Sequence, residues 1–160
     1  TVHPSTMDIM GQLGLLERFL ARPHQRLTRA ELRIGGREIV VGDLSKVRSQ
    51  TPFVAMMPQW EFLDFLRRQA QAYPGFRLDM GASVTRYLEE QDGRISGVEL
   101  TSGEQIVAPL VVAADGRHSL VRRHRLLPVR DLGSPIDVFW FELPKRTDER
   151  GTLRIAVEGG

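Results

Sequence analysis

The sequence contains no cysteine, no long apolar run and no large excess of charge of either sign. The absence of cysteine excludes a disulfide scaffold, thiolate metal sites and thiol nucleophiles. It fits a reducing compartment, so we expect a cytoplasmic location. No apolar run approaches the roughly 18 residues of a membrane helix, and we expect no membrane span. A formal net charge of +2 on 160 residues gives no reason to expect nucleic-acid binding.

Both ends of the sequence are typical of a piece cut from a longer protein. The chain starts at Thr1 without a methionine, and it ends at Gly159 and Gly160 just after an apparent strand, 153–157. A strand placed there has no following partner in the chain. We therefore expect an internal fragment with open strand edges, which favour association, and so a possible homo-oligomer.

Helical periodicity predicts two short helices near the start and one longer helix. Ser5 and Asp8 fit a capping box for the first helix, which Gly14 is expected to end before a second at 15–20. Residues 59–72 form the clearest helix, with an apolar stripe that Phe62 and Phe65 flank. That stripe consists of Leu63, Leu66 and Ala70.

Alternating apolar residues and turn signals predict several strands. A hairpin is expected at 31–41 around Gly35 and Gly36, and a meander at 84–90, 95–100 and 105–108 turns at Asp92-Gly93 and Ser102-Gly103. Other extended candidates are 51–57, 76–80 and 136–143. Residues 110–114 (LVVAA) are apolar on both faces, as in a buried parallel strand. These elements predict an α/β (α+β) fold.

The strongest chemical signal follows the LVVAA segment. Asp115 and Gly116 come where that strand would leave its sheet, and ligands bind at such carboxyl ends in open α/β sheets. Glycine permits a sharp turn and close approach of a phosphate, and Ser119 can cap the next helix. An ordinary strand-to-helix turn explains the same residues, because Asp-Gly turns are common.

The string from Ala114 to Arg122 (ADGRHSLVR) closely resembles the DG motif of the para-hydroxybenzoate-hydroxylase-like family of FAD-dependent monooxygenases. The resemblance implies that Asp115 and Gly116 lie near the FAD pyrophosphate and contribute to NAD(P)H binding. Residues 1–8 resemble the family segment leading into its second helix. Residues 58–66 resemble the start of a family helix that bears a residue in contact with FAD, and Gln59 falls on the position of that residue. Residues 137–141 resemble the first long strand of its substrate domain.

The resemblance implies a partial Rossmann-like FAD-binding domain at 1–24 and 58–127. It also implies part of an antiparallel substrate-domain sheet at 25–57 and 128–160. We expect the hairpin, the 51–57 stretch and the 136–143 strand to form that second sheet. The implied activity is an NAD(P)H-dependent oxygenation of a small organic substrate, aromatic or polyketide-like, through bound FAD. A reductase or dehydrogenase of the same fold, or an inactive structural or interaction fragment, remains an alternative.

Two family motifs are missing from this sequence. The GxGxxG fingerprint belongs before Thr1, and the Gly-Asp pair belongs after Gly160. We therefore expect the fragment alone to bind FAD weakly or not at all and to be inactive.

Other candidates have simpler explanations. The four histidines lack metal-ligand spacing, so no metal site is predicted, and His3, Ser5 and Asp8 do not form a hydrolytic triad. No catalytic residue is assigned. The basic run 122–125 can attract an NADPH phosphate or form a solvated helix face. The aromatic residues at 139–141 can line a substrate pocket or lie in a sheet core.

Overall fold

The structure, a computed structural model, describes residues 1–123, 128–130, 133, 137–139, 141, 144 and 152–157. The chain divides into two compact units, Thr1–Phe76 with Phe141–Gly160 and Arg77–Trp140. The described helices are α1 (Pro4–Gln12), α2 (Leu16–Leu20) and α3 (Gln59–Ala70). The described strands are β1 (Gln25–Leu27), β2 (Arg29–Ile34), β3 (Arg37–Asp43), β4 (Val54–Met56), β5 (Val84–Glu89), β6 (Ile95–Leu100), β7 (Gln105–Val107) and β8 (Thr152–Val157). This mixture confirms the predicted α/β (α+β) class.

Glycine ends the first helix as predicted. Gly14 has a φ of 69° directly after α1, and the backbone N–H of Leu15 donates to the carbonyl of Met10 at 2.8 Å. This left-handed C-terminal cap is one that glycine adopts without steric cost. The predicted capping box at the other end is wrong. Pro4 occupies the first turn after His3 and no side chain caps it, while Asp8 accepts a hydrogen bond from Ser49 instead.

The core of the first unit joins the helices to the short β1–β4 ribbon. Its buried residues are Val2, Met7, Met10, Leu16, Phe19, Phe53, Ala55 and Phe65. β4 confirms an extended segment within 51–57. Its partners, however, are β1 and Val2 rather than the 31–41 hairpin, because Phe53 and Ala55 pack into the helical core. The stripe predicted for α3 is rotated: Phe65 is buried, whereas Leu63 is 54% exposed.

The predicted hairpin is confirmed as β2 and β3. Gly35 and Gly36 connect the strands with φ values of 55° and 76°, as two-residue hairpin turns require. β8 pairs in parallel with β2 and completes a three-stranded sheet in the order β3-β2-β8. The predicted neighbour at 136–143 lies partly outside the described residues. Its described members, 137–139 and 141, are not in a strand.

The predicted meander is confirmed in the second unit. β5, β6 and β7 form an antiparallel sheet in chain order. Gly93 and Gly103 have φ values of 85° and 84° at the two turns. These positions again use the left-handed region that favours glycine.

Two other predicted strands are wrong. Residues 76–80 form no strand and are exposed. Residues 110–114 form none either, and Leu110 and Val112 are 76% and 77% exposed. A strand needs a neighbour to pair its backbone groups, and no described strand pairs with either segment.

Candidate functional site

The Asp115–Gly116 turn is organised by hydrogen bonds within the turn. The Asp115 carboxylate accepts from the backbone N–H of Leu120 at 3.2 Å, and Ser119 Oγ accepts from the N–H of Val121 at 3.2 Å. Two 3-10 turns, Gly116–His118 and Leu120–Arg123, follow Asp115, and the second begins where a short helix was expected after Ser119. Asp115 therefore holds the turn in the way that a capping residue holds a helix start.

Hydrogen bonds also favour the ionised form of Asp115. A hydrogen bond from the buried Ser119 side chain is the largest cause of the lowered pKa of Asp115, and the Leu120 backbone contributes as well. Hydrogen bonds to the charged form of a carboxyl group stabilise that form. Asp115 thus presents a negative carboxylate at an exposed position.

Gly116 combines a constrained backbone with open space. Its φ of 78° lies in the left-handed region, and a Cβ added there would meet nothing within 4 Å. A side chain at this position would strain the backbone and occupy the space beside the turn. Glycine leaves that space to a ligand group that approaches the backbone closely.

Asp115 lies at one end of a cleft in the second unit. The cleft has a volume of about 500 Å³, within the usual range for small-molecule sites. Its lining residues are Ala82, Ser83, Val84, Tyr87, Val98, Val111, Val112, Ala113, Ala114 and Asp115. The segment that sequence analysis assigned to a buried strand therefore forms one wall of the cleft.

Tyr87 is a polar residue of this cleft that the sequence motifs did not mark. Partial burial is the main cause of its raised pKa, and the charge of Asp115 adds to it. The phenol therefore remains protonated near neutral pH. Within the sequence, Tyr87 looks like any aromatic strand residue, so no signal singles it out.

Gln59 lies in the other unit, at the first position of α3. Pro58 precedes it without a side-chain cap, and the exposed Gln59 amide has no hydrogen bond to another described residue. A smaller cavity of about 240 Å³ lies beside it, lined by Thr1, Val2, Met57, Gln59 and Phe62. Gln59 is thus available to a ligand, and it belongs to a different compact unit from Asp115 and Gly116.

The remaining candidates are only partly described. Arg122 and Arg123 are exposed, while residues 124 and 125 lie outside the described part of the chain. Phe139 and Phe141 are 83% and 76% exposed, so they do not lie in a sheet core; Trp140 is outside the described residues. Within the described residues, no cluster of three or more His, Cys, Asp or Glu side chains has a metal-binding arrangement. No described helix is long and apolar enough to cross a membrane.

Two known proteins with similar sequences are monooxygenases from Streptomyces. The chain is 28% identical to 6-methylpretetramide 4-monooxygenase of Streptomyces rimosus, over 99% of this chain and 38% of that protein. It is 31% identical to rifampicin monooxygenase of Streptomyces venezuelae, over 84% of this chain and 26% of that protein. The chain thus spans well under half the length of either relative.

The fold is shared with a solved flavoprotein structure. PqsL of Pseudomonas aeruginosa, described as a probable FAD-dependent monooxygenase, superposes with a TM-score of 0.68 at 21% identity, covering 84% of this chain and 36% of that chain. A family profile described as "FAD binding domain" matches residues 1–143. The resemblance carried by residues 1–8, 58–66, 114–122 and 137–141 is therefore confirmed at the level of the family. The chain belongs to the FAD-binding-domain family of para-hydroxybenzoate-hydroxylase-like flavoproteins.

Proposed function

We propose that the intact protein is an FAD-dependent monooxygenase that uses NAD(P)H and oxygenates an organic substrate of aromatic or polyketide-like type. The observation that carries the proposal is the family match across residues 1–143, which includes the ordered Asp115–Gly116 turn and its cleft. A cytoplasmic location and self-association remain predictions.

The residues of the turn fit a dinucleotide cofactor. Gly116 leaves open space where a phosphate group can approach the backbone. A negative carboxylate repels phosphate, so Asp115 suits hydroxyl donors and acts mainly by fixing the turn. The cleft wall that includes Tyr87 and Val98 is largely apolar, which suits an aromatic ring.

Gln59 is the second proposed contact. The Gln59 amide has no hydrogen-bond partner among the described residues, so it can donate to cofactor oxygens and accept from cofactor hydroxyl groups, and the start of α3 favours a negative group. Bound FAD supplies the redox and oxygen chemistry, while the protein binds, orients and excludes water. We assign these binding roles to Gln59, Asp115 and Gly116, and we assign no acid–base residue.

We further propose that 1–24 and 58–127 belong to the cofactor side and 25–57 and 128–160 to the substrate side. The β3-β2-β8 sheet supports this division because one of its faces is apolar apart from Arg37 beside the hairpin turn. Directly paired residues lie on the same face, and its apolar residues are Ala30, Leu32, Ile34, Ile39, Leu153, Ile155 and Val157. Five of these side chains are 42–48% exposed, which leaves an apolar surface for an uncharged organic molecule.

The names of the relatives support the proposed substrate class. The two Streptomyces proteins are named for 6-methylpretetramide and rifampicin, and one PqsL structure contains 2-aminobenzoylacetate. Arg122 and Arg123 are exposed cations close to the turn in sequence, which supports recognition of a nicotinamide-cofactor phosphate.

The test is a spectrum followed by turnover of the intact protein. We expect the purified protein to show the visible absorbance of oxidised flavin and to oxidise NAD(P)H faster when an aromatic polyketide is added. Mass spectrometry should then find one oxygen atom added to the product. NAD(P)H oxidation without oxygen insertion would indicate a reductase, and a protein without flavin would contradict the proposal.

A further inference from the structure

One half-buried hydrogen bond connects α1 to the segment between β3 and β4. Ser49 Oγ donates to the Asp8 carboxylate at 2.7 Å, across 41 positions of sequence. The same Ser49 oxygen accepts from the backbone N–H of Thr51 at 3.0 Å. Among the described residues, this is the one side-chain hydrogen bond between 44–50 and α1.

The contact links the β3-β2-β8 sheet to the helices at a second place. The first is covalent, because only Thr28 separates β2 from β1 of the core ribbon, and no described helix packs extensively against the sheet. At its base, the Leu44 N–H donates to the Thr28 carbonyl at 2.8 Å, which closes the hairpin. The connecting residues 45–48 are exposed and make a 3-10 turn that Asp43 caps.

The two ends of the contact differ in burial. Asp8 lies on α1 between the fully buried Met7 and the buried Met10, so the core fixes its backbone. Ser49 follows the exposed residues 45–48, and the chain is buried again at Thr51 and Phe53. A charge-assisted hydrogen bond to the core helix therefore restricts where the exposed segment can lie.

We propose that Asp8 and Ser49 are positioning residues that fix the β2–β3 hairpin relative to α1 and thereby set the affinity for the organic substrate. The inference rests on the proposed assignment of this sheet to the substrate side. The pair does not touch reacting atoms in this scheme. It sets the position of the apolar face of the sheet relative to α1.

The experiment compares Ser49→Ala with Ser45→Ala in the FAD-loaded intact protein. Ser45 is a matched control because its hydroxyl also bonds a carboxylate, that of Asp43, within its own exposed turn. We expect Ser49→Ala to raise the substrate KM severalfold, up to about tenfold, while kcat stays unchanged, because a smaller fraction of the protein then holds the hairpin in the binding-competent position. Ser45→Ala should leave KM unchanged, and Ser49→Thr, which keeps the hydroxyl, should restore it.

Hydrogen exchange separates a positioning role from a merely structural one. In Ser49→Ala, amides of 28–46 should exchange faster while those of α1 and α3 keep their protection. Equal loosening of the helices, a fall in kcat and FAD content together with the KM change, or no change at all would overturn the inference. If the unaltered protein shows no oxygenation, the proposed function fails, and the exchange comparison still decides whether the pair holds the hairpin.

Discussion

Replacing Thr51 by valine should stabilise the protein. Thr51 is 2% exposed, and its Oγ1 is buried without a hydrogen-bond partner among the described residues. Its backbone is satisfied, because the N–H donates to Ser49 Oγ and the carbonyl accepts from the N–H of Phe53 at 2.8 Å. The hydroxyl is therefore the one polar group that a substitution would remove.

The expected magnitude follows from the cost of that hydroxyl. Burying a polar group without a partner costs about 1–3 kcal/mol, and the methyl group that replaces it adds up to about 0.8 kcal/mol of apolar burial. We expect Thr51→Val to raise the free energy of unfolding by about 1–3 kcal/mol. In a chain of this size, each kcal/mol moves the melting temperature by about 2–4 °C.

Two controls make the assay decisive. Thr51→Ser keeps the hydroxyl and loses the methyl, so it should lower stability by about 1 kcal/mol. Thr101→Val makes the same chemical change at an exposed hydroxyl that donates to the Ser83 carbonyl at 3.1 Å, and it should not stabilise. Urea unfolding and thermal melting of the four proteins measure the order. A Thr51→Val protein no more stable than the unaltered one would show that the hydroxyl has a partner, such as an ordered water.

Three further predictions concern the cofactor residues and the meander. Gln59→Ala in the intact protein should weaken FAD binding by about 0.5–1.5 kcal/mol, the value of one hydrogen bond, and flavin fluorescence titration measures it; an unchanged Kd would leave Gln59 a solvated helix residue. Asp115→Ala should slow flavin reduction by NAD(P)H more than it lowers the melting temperature, and stopped-flow reduction beside thermal melting tests this; normal reduction with a large loss of stability would reverse the assignment. Gly97→Ala should destabilise the protein by about 2 kcal/mol or more, because a Cβ at Gly97 would overlap the Ile106 carbonyl oxygen across β6 and β7; unfolding at the unaltered urea midpoint would contradict that clash.

Sequence reasoning succeeded where neighbouring residues determine the structure. Gly14 ends α1 and the Gly35–Gly36 pair turns the hairpin, in each case because the backbone needs a positive φ that glycine supplies. The meander follows the same rule at Gly93 and Gly103. These turns fix the register of their own strands, so a local pattern was sufficient.

It failed where partners are distant in sequence. β8 pairs with β2 although more than a hundred residues separate them, and no local pattern encodes that choice. β1 is three residues long, too short for a period to show. On α3, the sequence placed Leu63 toward the core, but the aromatic cluster of Phe19, Phe62 and Phe65 turned another face inward. Packing of large rings decided the orientation.

The candidate site shows the same contrast between locally determined structure and structure that depends on distant residues. The Asp115 turn is held by bonds to Ser119 and Leu120, within five positions of sequence, so it forms whether or not the preceding segment is paired. The LVVAA segment has the composition of a buried strand, yet its backbone groups need distant neighbours, and its side chains line an open cleft instead. The turn is thus an independent local structure that presents Asp115 and Gly116. The conformation of residues 110–114 depends instead on whether a distant strand pairs with them, and the sequence pattern could not determine that.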